Sequence, residues 1–199
     1  MKYSFLFLSL ITIASLSSCS SEEVSEGDRL FHAGQYDEAL KAYSDFLEYN
    51  TRNVPTLYNR GRTYEELGQL DKAREDFLLV LKLDPEHIDG HLSLGNIAYR
   101  EKQYAEAVDY YKSAAKLQDR NATAFYLVGR AYTKLGKLEE ALKAYNSSIS
   151  LDKGNSSAYL GRGVVYANMN RMGKACTDFR AAKNMGNDGA AAAIAQYCE

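Results

Sequence analysis

Three residue columns recur every 34 positions along this chain without an insertion. Glycine stands at Gly27, Gly61, Gly95, Gly129 and Gly163. Alanine stands at Ala39, Ala73, Ala107, Ala141 and Ala175, and an aromatic at Tyr43, Phe77, Tyr111, Tyr145 and Phe179. A fixed period of this size means one supersecondary unit copied along the chain rather than a single irregular core. Such an array offers an extended surface, and nothing in its period supplies a reaction.

The unit is clearest from Val54 to His87. Pro55 suits a first helical turn, where a missing N–H costs nothing. Leu57, Gly61, Tyr64 and Leu67 follow at helical spacing, and Gly68 ends the run in the manner of a left-handed C-cap. A second helical stripe comprises Leu70, Ala73, Phe77, Val80 and Leu81, closed by Asp84-Pro85. Each period is therefore expected to be two short antiparallel helices. The small residues let the helices approach, and the aromatic fills the space toward the next pair. The turn between helices falls at Gly34, Gly68, Lys102, Gly136 and Asn170. Lysine is the departure there, since a positive φ favours glycine and asparagine. One pair cannot bury its own apolar stripe, so the pairs must stack.

The 34-residue length, the helix–turn–helix unit and the small, small, aromatic columns resemble the tetratricopeptide repeat (TPR) family. The resemblance implies an all-α, right-handed α-solenoid of five TPR helix–turn–helix repeats. These are placed at 20–53, 54–87, 88–121, 122–155 and 156–189, with a C-terminal capping helix at 189–199. The match departs in two ways. The family's large aromatic early in the first helix is Glu23, Leu57, His91, Phe125 and Tyr159 here, and the closing proline appears only at Pro85.

Residues 1–18 read as a secretory signal: Lys2, an apolar run from Phe5 to Ala14, then small residues. Leu16-Ser17-Ser18-Cys19 resembles the lipobox of bacterial lipoproteins, which implies a diacylglyceryl group on Cys19. The alternative is an ordinary signal peptide with an incidental cysteine. Ser20 after Cys19 resembles outer-membrane sorting, and Glu22-Glu23 resembles a Bacteroidetes surface-export signal, although two glutamates also suit a helix start. The expected place is the cell envelope, anchored by lipid to the outer membrane, with the periplasmic or surface face left open. A repeat beginning at once after Cys19 would lie about 10–20 Å from the lipid surface.

Export implies an oxidising compartment. Cys176 and Cys198 flank Gly186-Asn187-Asp188-Gly189, a strong turn signal. If helices flank that turn, the cysteines face one another and a disulfide staples the last helix to the fifth repeat, contributing roughly 3 kcal/mol in the chain-entropy model. The alternative is a pair of buried free thiols.

In the TPR family, first helices line a concave groove. Residues off the packing stripe there include Glu65, Glu66, Leu92, Thr133, Leu160, Val164 and Asn168, and the candidate groove residues among them are Tyr58, Arg62, Asn96, Tyr99, Arg100, Tyr126, Arg130 and Lys134. Tyrosine and arginine at this density suit an extended or helical peptide, with arginine pairing a carboxylate. The plain alternative is a solvated helix face with snorkelling side chains. The family's carboxylate-gripping set is incomplete in either register: Val24, Asp28, Asn59, Asn96 and Arg100, or Tyr58, Arg62, Ser93, Arg130 and Lys134.

A net charge of −2 argues against a nucleic-acid partner. His87 and His91 are i, i+4 but lack a defined third ligand, so no metal is expected. Nucleophile elbows, phosphate loops and zinc-protease motifs are absent from the sequence, and neither catalytic residues nor a cofactor are expected. The reading is a lipid-anchored scaffold binding a protein or peptide in its groove, serving assembly or recruitment at an outer-membrane complex. A surface lipoprotein that binds glycans through its tyrosines is the rival.

Overall fold

Every described segment is helix or short connection, and the computed structural model describes residues 26–198. The signal segment, Cys19, Glu22 and Glu23 lie outside the described residues. The described residues fall into two compact units, one ending at Gln69 and the other beginning at Leu70.

The first unit holds α1 (residues 26–32), α2 (Tyr36–Tyr49) and α3 (Val54–Glu66). Gly27 lies against Tyr43 so closely that a Cβ on it would sit 2.5 Å from a ring carbon. Tyr43 is buried, and its hydroxyl donates to Asp28 Oδ1 at 2.6 Å. Burial, reinforced by that carboxylate acceptor, pushes its pKa above the ordinary phenol value. Asn59 Nδ2 donates to the same Asp28 oxygen at 2.9 Å.

The second unit holds α4 (Leu70–Leu83), α5 (Ile88–Arg100), α6 (Tyr104–Leu117), α7 (Ala122–Lys134) and α8 (Leu138–Leu151). It continues with α9 (Ser156–Asn168), α10 (Met172–Asn184) and α11 (Gly189–Tyr197). Helices α5 and α6, α7 and α8, and α9 and α10 pack as pairs, and each pair packs on the next. The core shows why stacking is obligatory: Tyr111, Ala107 and Val108 of one pair are buried against Leu127, Val128 and Ala131 of the next. Tyr145 and Ile149 likewise meet Ala158 and Val165. This is the all-α stack of helix pairs that the period implies. Helix α11 covers α10 and α9, packing Ala193, Ile194 and Tyr197 against Phe179. Cys176 in α10 and Cys198 after α11 are joined, with Cα atoms 5.7 Å apart.

The glycine column recurs as one contact. Gly95 faces the Tyr111 ring, Gly129 faces Tyr145, and Gly163 faces Phe179, with a built Cβ at 2.5, 2.8 and 2.5 Å from ring carbons. The alanines of the neighbouring column, Ala39, Ala73, Ala107, Ala141 and Ala175, are all fully buried.

The turns repeat as faithfully. Gly34, Gly68, Lys102, Gly136 and Asn170 all have φ between 56° and 74°. At each, the turn residue and its successor donate back into the preceding helix, as Lys102 N to Tyr99 O and Gln103 N to Ala98 O. Lys102 adopts the left-handed conformation at φ 65°, because the surrounding hydrogen bonds demand it whatever the side chain. Helix starts repeat too. Asn53, Asn121 and Asn155 cap α3, α7 and α9 through their side-chain oxygens, and His87 caps α5 through Nδ1, which accepts from Gly90 N at 3.0 Å. His91 Nε2 meets Pro85 O at 3.0 Å. No metal-binding group of three or more His, Cys, Asp or Glu exists among the described residues.

Two outcomes follow. Gly95→Ala forces a methyl into the Tyr111 ring and is expected to destabilise the protein by roughly 1–3 kcal/mol in thermal or urea unfolding. Lys102→Gly removes a strained conformation at an exposed turn and is expected to raise stability by about 1 kcal/mol, read as a higher Tm.

Candidate functional site: a tyrosine-bracketed arginine on the first-helix face

Helix α7 touches α9 directly as well as its own partner α8, so first helices of successive pairs meet on one face of the second unit. On that face a cavity of about 270 Å³ is lined by residues of α5, α7, α8 and α9. Arg130 dominates it. Its guanidinium carbon lies 4.6 Å from the Tyr99 ring centre and 5.6 Å from that of Tyr126. Two cation–π contacts hold the plane of the side chain, and Tyr99 also hydrogen-bonds to the guanidinium. Arg130 has no ion pair among the described residues. Its charge is therefore uncompensated locally, which suits an incoming carboxylate or a row of peptide carbonyls.

The cavity floor is Tyr145, wedged between two bare backbone segments. A Cβ on Gly129 would lie 2.8 Å from its ring, and one on Gly161 would lie 2.5 Å from Cζ and 2.7 Å from the hydroxyl. Burial pushes the Tyr145 phenol up to about 12, so it is a neutral hydrogen-bonding group at physiological pH. Its hydroxyl lies 3.5 Å from Thr133 Oγ1, which donates to Gly129 O at 2.8 Å. The Tyr126 and Tyr145 rings are 6.1 Å apart and tilted, extending the aromatic wall. Lys134, Ser157, Leu160 and Val164 complete the lining. The arrangement presents donors, ring faces and an apolar recess.

The other sequence-selected residues go elsewhere. Asn96 is exposed and its Oδ1 accepts from Tyr111 Oη at 2.8 Å. Arg100 is exposed in the last turn of α5, outside the cavity. Arg62 belongs to the first unit, where its guanidinium lies 4.7 Å from the Phe31 ring centre beside a smaller cavity of about 110 Å³ that Asp28, His32 and Asn59 also line. Tyr58 is half-buried on α3 and lines neither cavity. Of the eight positions, Tyr99, Tyr126, Arg130 and Lys134 line the cavity of the second unit. In the first unit Asp28 and Asn59 satisfy one another, which leaves that pair a local tie.

Two further features belong to this region. Gly161 opens the recess where the equivalent positions hold Leu127 and Ser93, and that irregularity is legible in the repeat alignment. Arg162 forms a bidentate pair with Asp178, Nε to Oδ2 at 2.7 Å and Nη2 to Oδ1 at 2.8 Å, and donates to Asn146 Oδ1 at 2.7 Å. This ties α8, α9 and α10 together, and its hydrogen bond to Asp178 is the main reason the guanidinium pKa is raised. The same two residue types stand at Arg60 and Asp76, so the signal was present in the columns.

Comparison with known proteins agrees with this architecture. A family model described as "Tetratricopeptide repeat" matches residues 24–88 and 58–123, and one described as "TPR repeat" matches residues 129–170. Hsp70-Hsp90 organizing protein 3 of Arabidopsis thaliana is 29% identical over 118 residues, 59% of this chain and 21% of the relative. The Hsp70-Hsp90 organizing protein of Triticum aestivum is 28% identical over 118 residues, 59% of this chain and 20% of that protein. The chain thus spans about a fifth of the length of these curated relatives. Among solved structures, the crystal structure of MamA protein aligns with a TM-score of 0.78 at 26% identity, covering 92% of this chain and 97% of that one. YrrB, described as a TPR protein with an unusual peptide-binding site, aligns with a TM-score of 0.72 at 23% identity, covering 83% of this chain and 86% of that one. At that identity the likeness concerns the fold.

Proposed function

This chain belongs to the tetratricopeptide repeat family, and from that premise we propose that it is a non-enzymatic scaffold that holds a segment of a partner protein on the face built by α5, α7 and α9. One observation carries the reading: a guanidinium bracketed by Tyr99 and Tyr126, free of any ion pair among the described residues, stands over a recess that Gly161 opens. Such a site takes a peptide whose carboxylate or main-chain carbonyls meet Arg130 and whose side chain enters the recess over Tyr145. The glycan reading fits less well. Sugar stacking needs an open ring face, and the guanidinium of Arg130 occupies space over Tyr99 and Tyr126.

The place of action completes the proposal. The lipobox-like Leu16-Ser17-Ser18-Cys19 supports a lipid anchor at Cys19, and an exported chain suits the Cys176–Cys198 bond. No described helix is long and apolar enough to cross a membrane. The scaffold is accordingly a lipoprotein of the cell envelope, recruiting or assembling a complex at the outer membrane.

Crosslinking pull-down from envelope membranes tests the groove. Arg130→Ala is expected to reduce partner recovery at least tenfold, whereas Arg100→Ala, outside the cavity, leaves it unchanged. Equal recovery by wild type and Arg130→Ala sinks the groove reading. For the anchor, Cys19→Ala is expected to move the protein from the membrane fraction to the soluble fraction. Retention of that variant on membranes after a carbonate wash counts against lipidation.

A further inference from the structure

The second unit carries another groove, on the side away from Arg130, that the preceding reading leaves unused. Helices α6 and α8 form its walls and α7 its floor. The floor is apolar, with Phe125, Val128 and Tyr132 rising between Ala115 of one wall and Ala144 of the other. The cavity measures about 400 Å³. It does not end there. Phe125 and Ser147 also line an adjoining cavity of about 410 Å³ that reaches Leu151. The combined trough follows α8 from Glu140 to Leu151, about 16 Å at 1.5 Å per residue, or three helical turns.

Its charges are arranged along the trough. Lys112 and Lys116 stand one turn apart on the α6 wall, and Lys143 stands on the α8 wall. All three are exposed, and none forms an ion pair among the described residues. Carboxylates occur only toward the ends of the lining, Glu140 in the first turn of α8 and Asp119 just past α6. The neighbouring Glu139 faces Arg171 instead, at 3.6 Å. A protein of net charge −2 thus concentrates unpaired cations around an apolar trough.

We infer that this trough docks an amphipathic helix of a second partner protein, one whose apolar stripe is flanked on both sides by acidic residues. Length and charge placement select that occupant. A free acyl chain with one anionic head needs cations at one end of a slot. Here cations stand on both walls, and the slot runs three turns. An apolar stripe at i, i+3, i+4, i+7 would lie over Phe125, Val128 and Tyr132 while its acidic flanks reach Lys112 and Lys116 on one side and Lys143 on the other. The scaffold then holds two partners on opposite faces of the same helix pairs. The inference does not depend on the Arg130 site, and its test separates the two.

The probe is a fluorescein-labelled 18-residue helical peptide with leucines at i, i+3, i+4 and i+7 and glutamates flanking them, with a lysine-flanked counterpart as control. Fluorescence anisotropy is measured on the full chain. The acidic peptide is expected to bind at least tenfold more tightly than the basic one, and to weaken as salt rises. Lys112→Glu with Lys143→Glu, both at exposed positions, is expected to reverse that preference, so that the basic peptide now binds. Arg130→Ala leaves both results unchanged. Equal binding of the two peptides, no binding of either, or a double variant with wild-type preference overturns the proposal. So does loss of acidic-peptide binding in Arg130→Ala, which would place the peptide on the other face. Concentration-dependent dimerisation of the wild type in sedimentation, abolished in the double variant, would assign the trough to a second copy of this chain and likewise overturn it.

Discussion

An aromatic ring pressed against bare backbone is the contact on which these helix pairs depend. In α5, α7 and α9 a glycine leaves room for a tyrosine or phenylalanine of the following helix, closer than any Cβ would permit. In the first unit Gly27 and Tyr43 do the same. The ring sets how near the helices come, and that spacing decides what the next pair can cover. The fully buried alanine column has the same origin, since a larger side chain there would hold the helices apart. The polar edges of the rings are placed by this packing too. Tyr43 reaches Asp28, Tyr111 reaches Asn96, and Tyr145 lies beside Thr133.

The site on the first-helix face grows out of that scaffold. Tyr145 is a buried packing residue whose ring and hydroxyl lie against Gly161 at the floor of the recess. Arg130 is positioned by one ring from its own helix, Tyr126 on α7, and one from the preceding pair, Tyr99 on α5, so its orientation depends on stacking as well as on its own helix. A rigidly presented guanidinium loses less freedom on binding than a snorkelling one. The outer trough has the opposite character. Its apolar floor is rigid, but its lysines are long and solvated and act at a distance.

Much of the fold was legible because the period, the turn glycines and the aromatic column all report the same geometry. Lys102 shows where residue type misleads. Lysine disfavours a positive φ, yet the hydrogen bonds from Lys102 and Gln103 into α5 enforce it. His87 shows a second kind of gap: its imidazole nitrogen performs the task that asparagine performs in three other repeats, so side-chain class concealed a capping column. The site was legible only as a helix face. Periodicity says which residues avoid the packing stripe, but not which are already satisfied. Asn96 is engaged by Tyr111, while Arg130 lacks an ion pair among the described residues. That difference lies in contacts between elements, which a column of residue types does not encode.

Gly161 has a consequence for how this surface can change. Any carbon added there would collide with a ring already wedged against Gly129. The lining of the recess and the packing of α8 against α9 therefore meet at a single residue. The lining can change at Lys134 or Ser157 without touching Gly161, but a side chain at Gly161 cannot be added without loosening the packing beneath the recess.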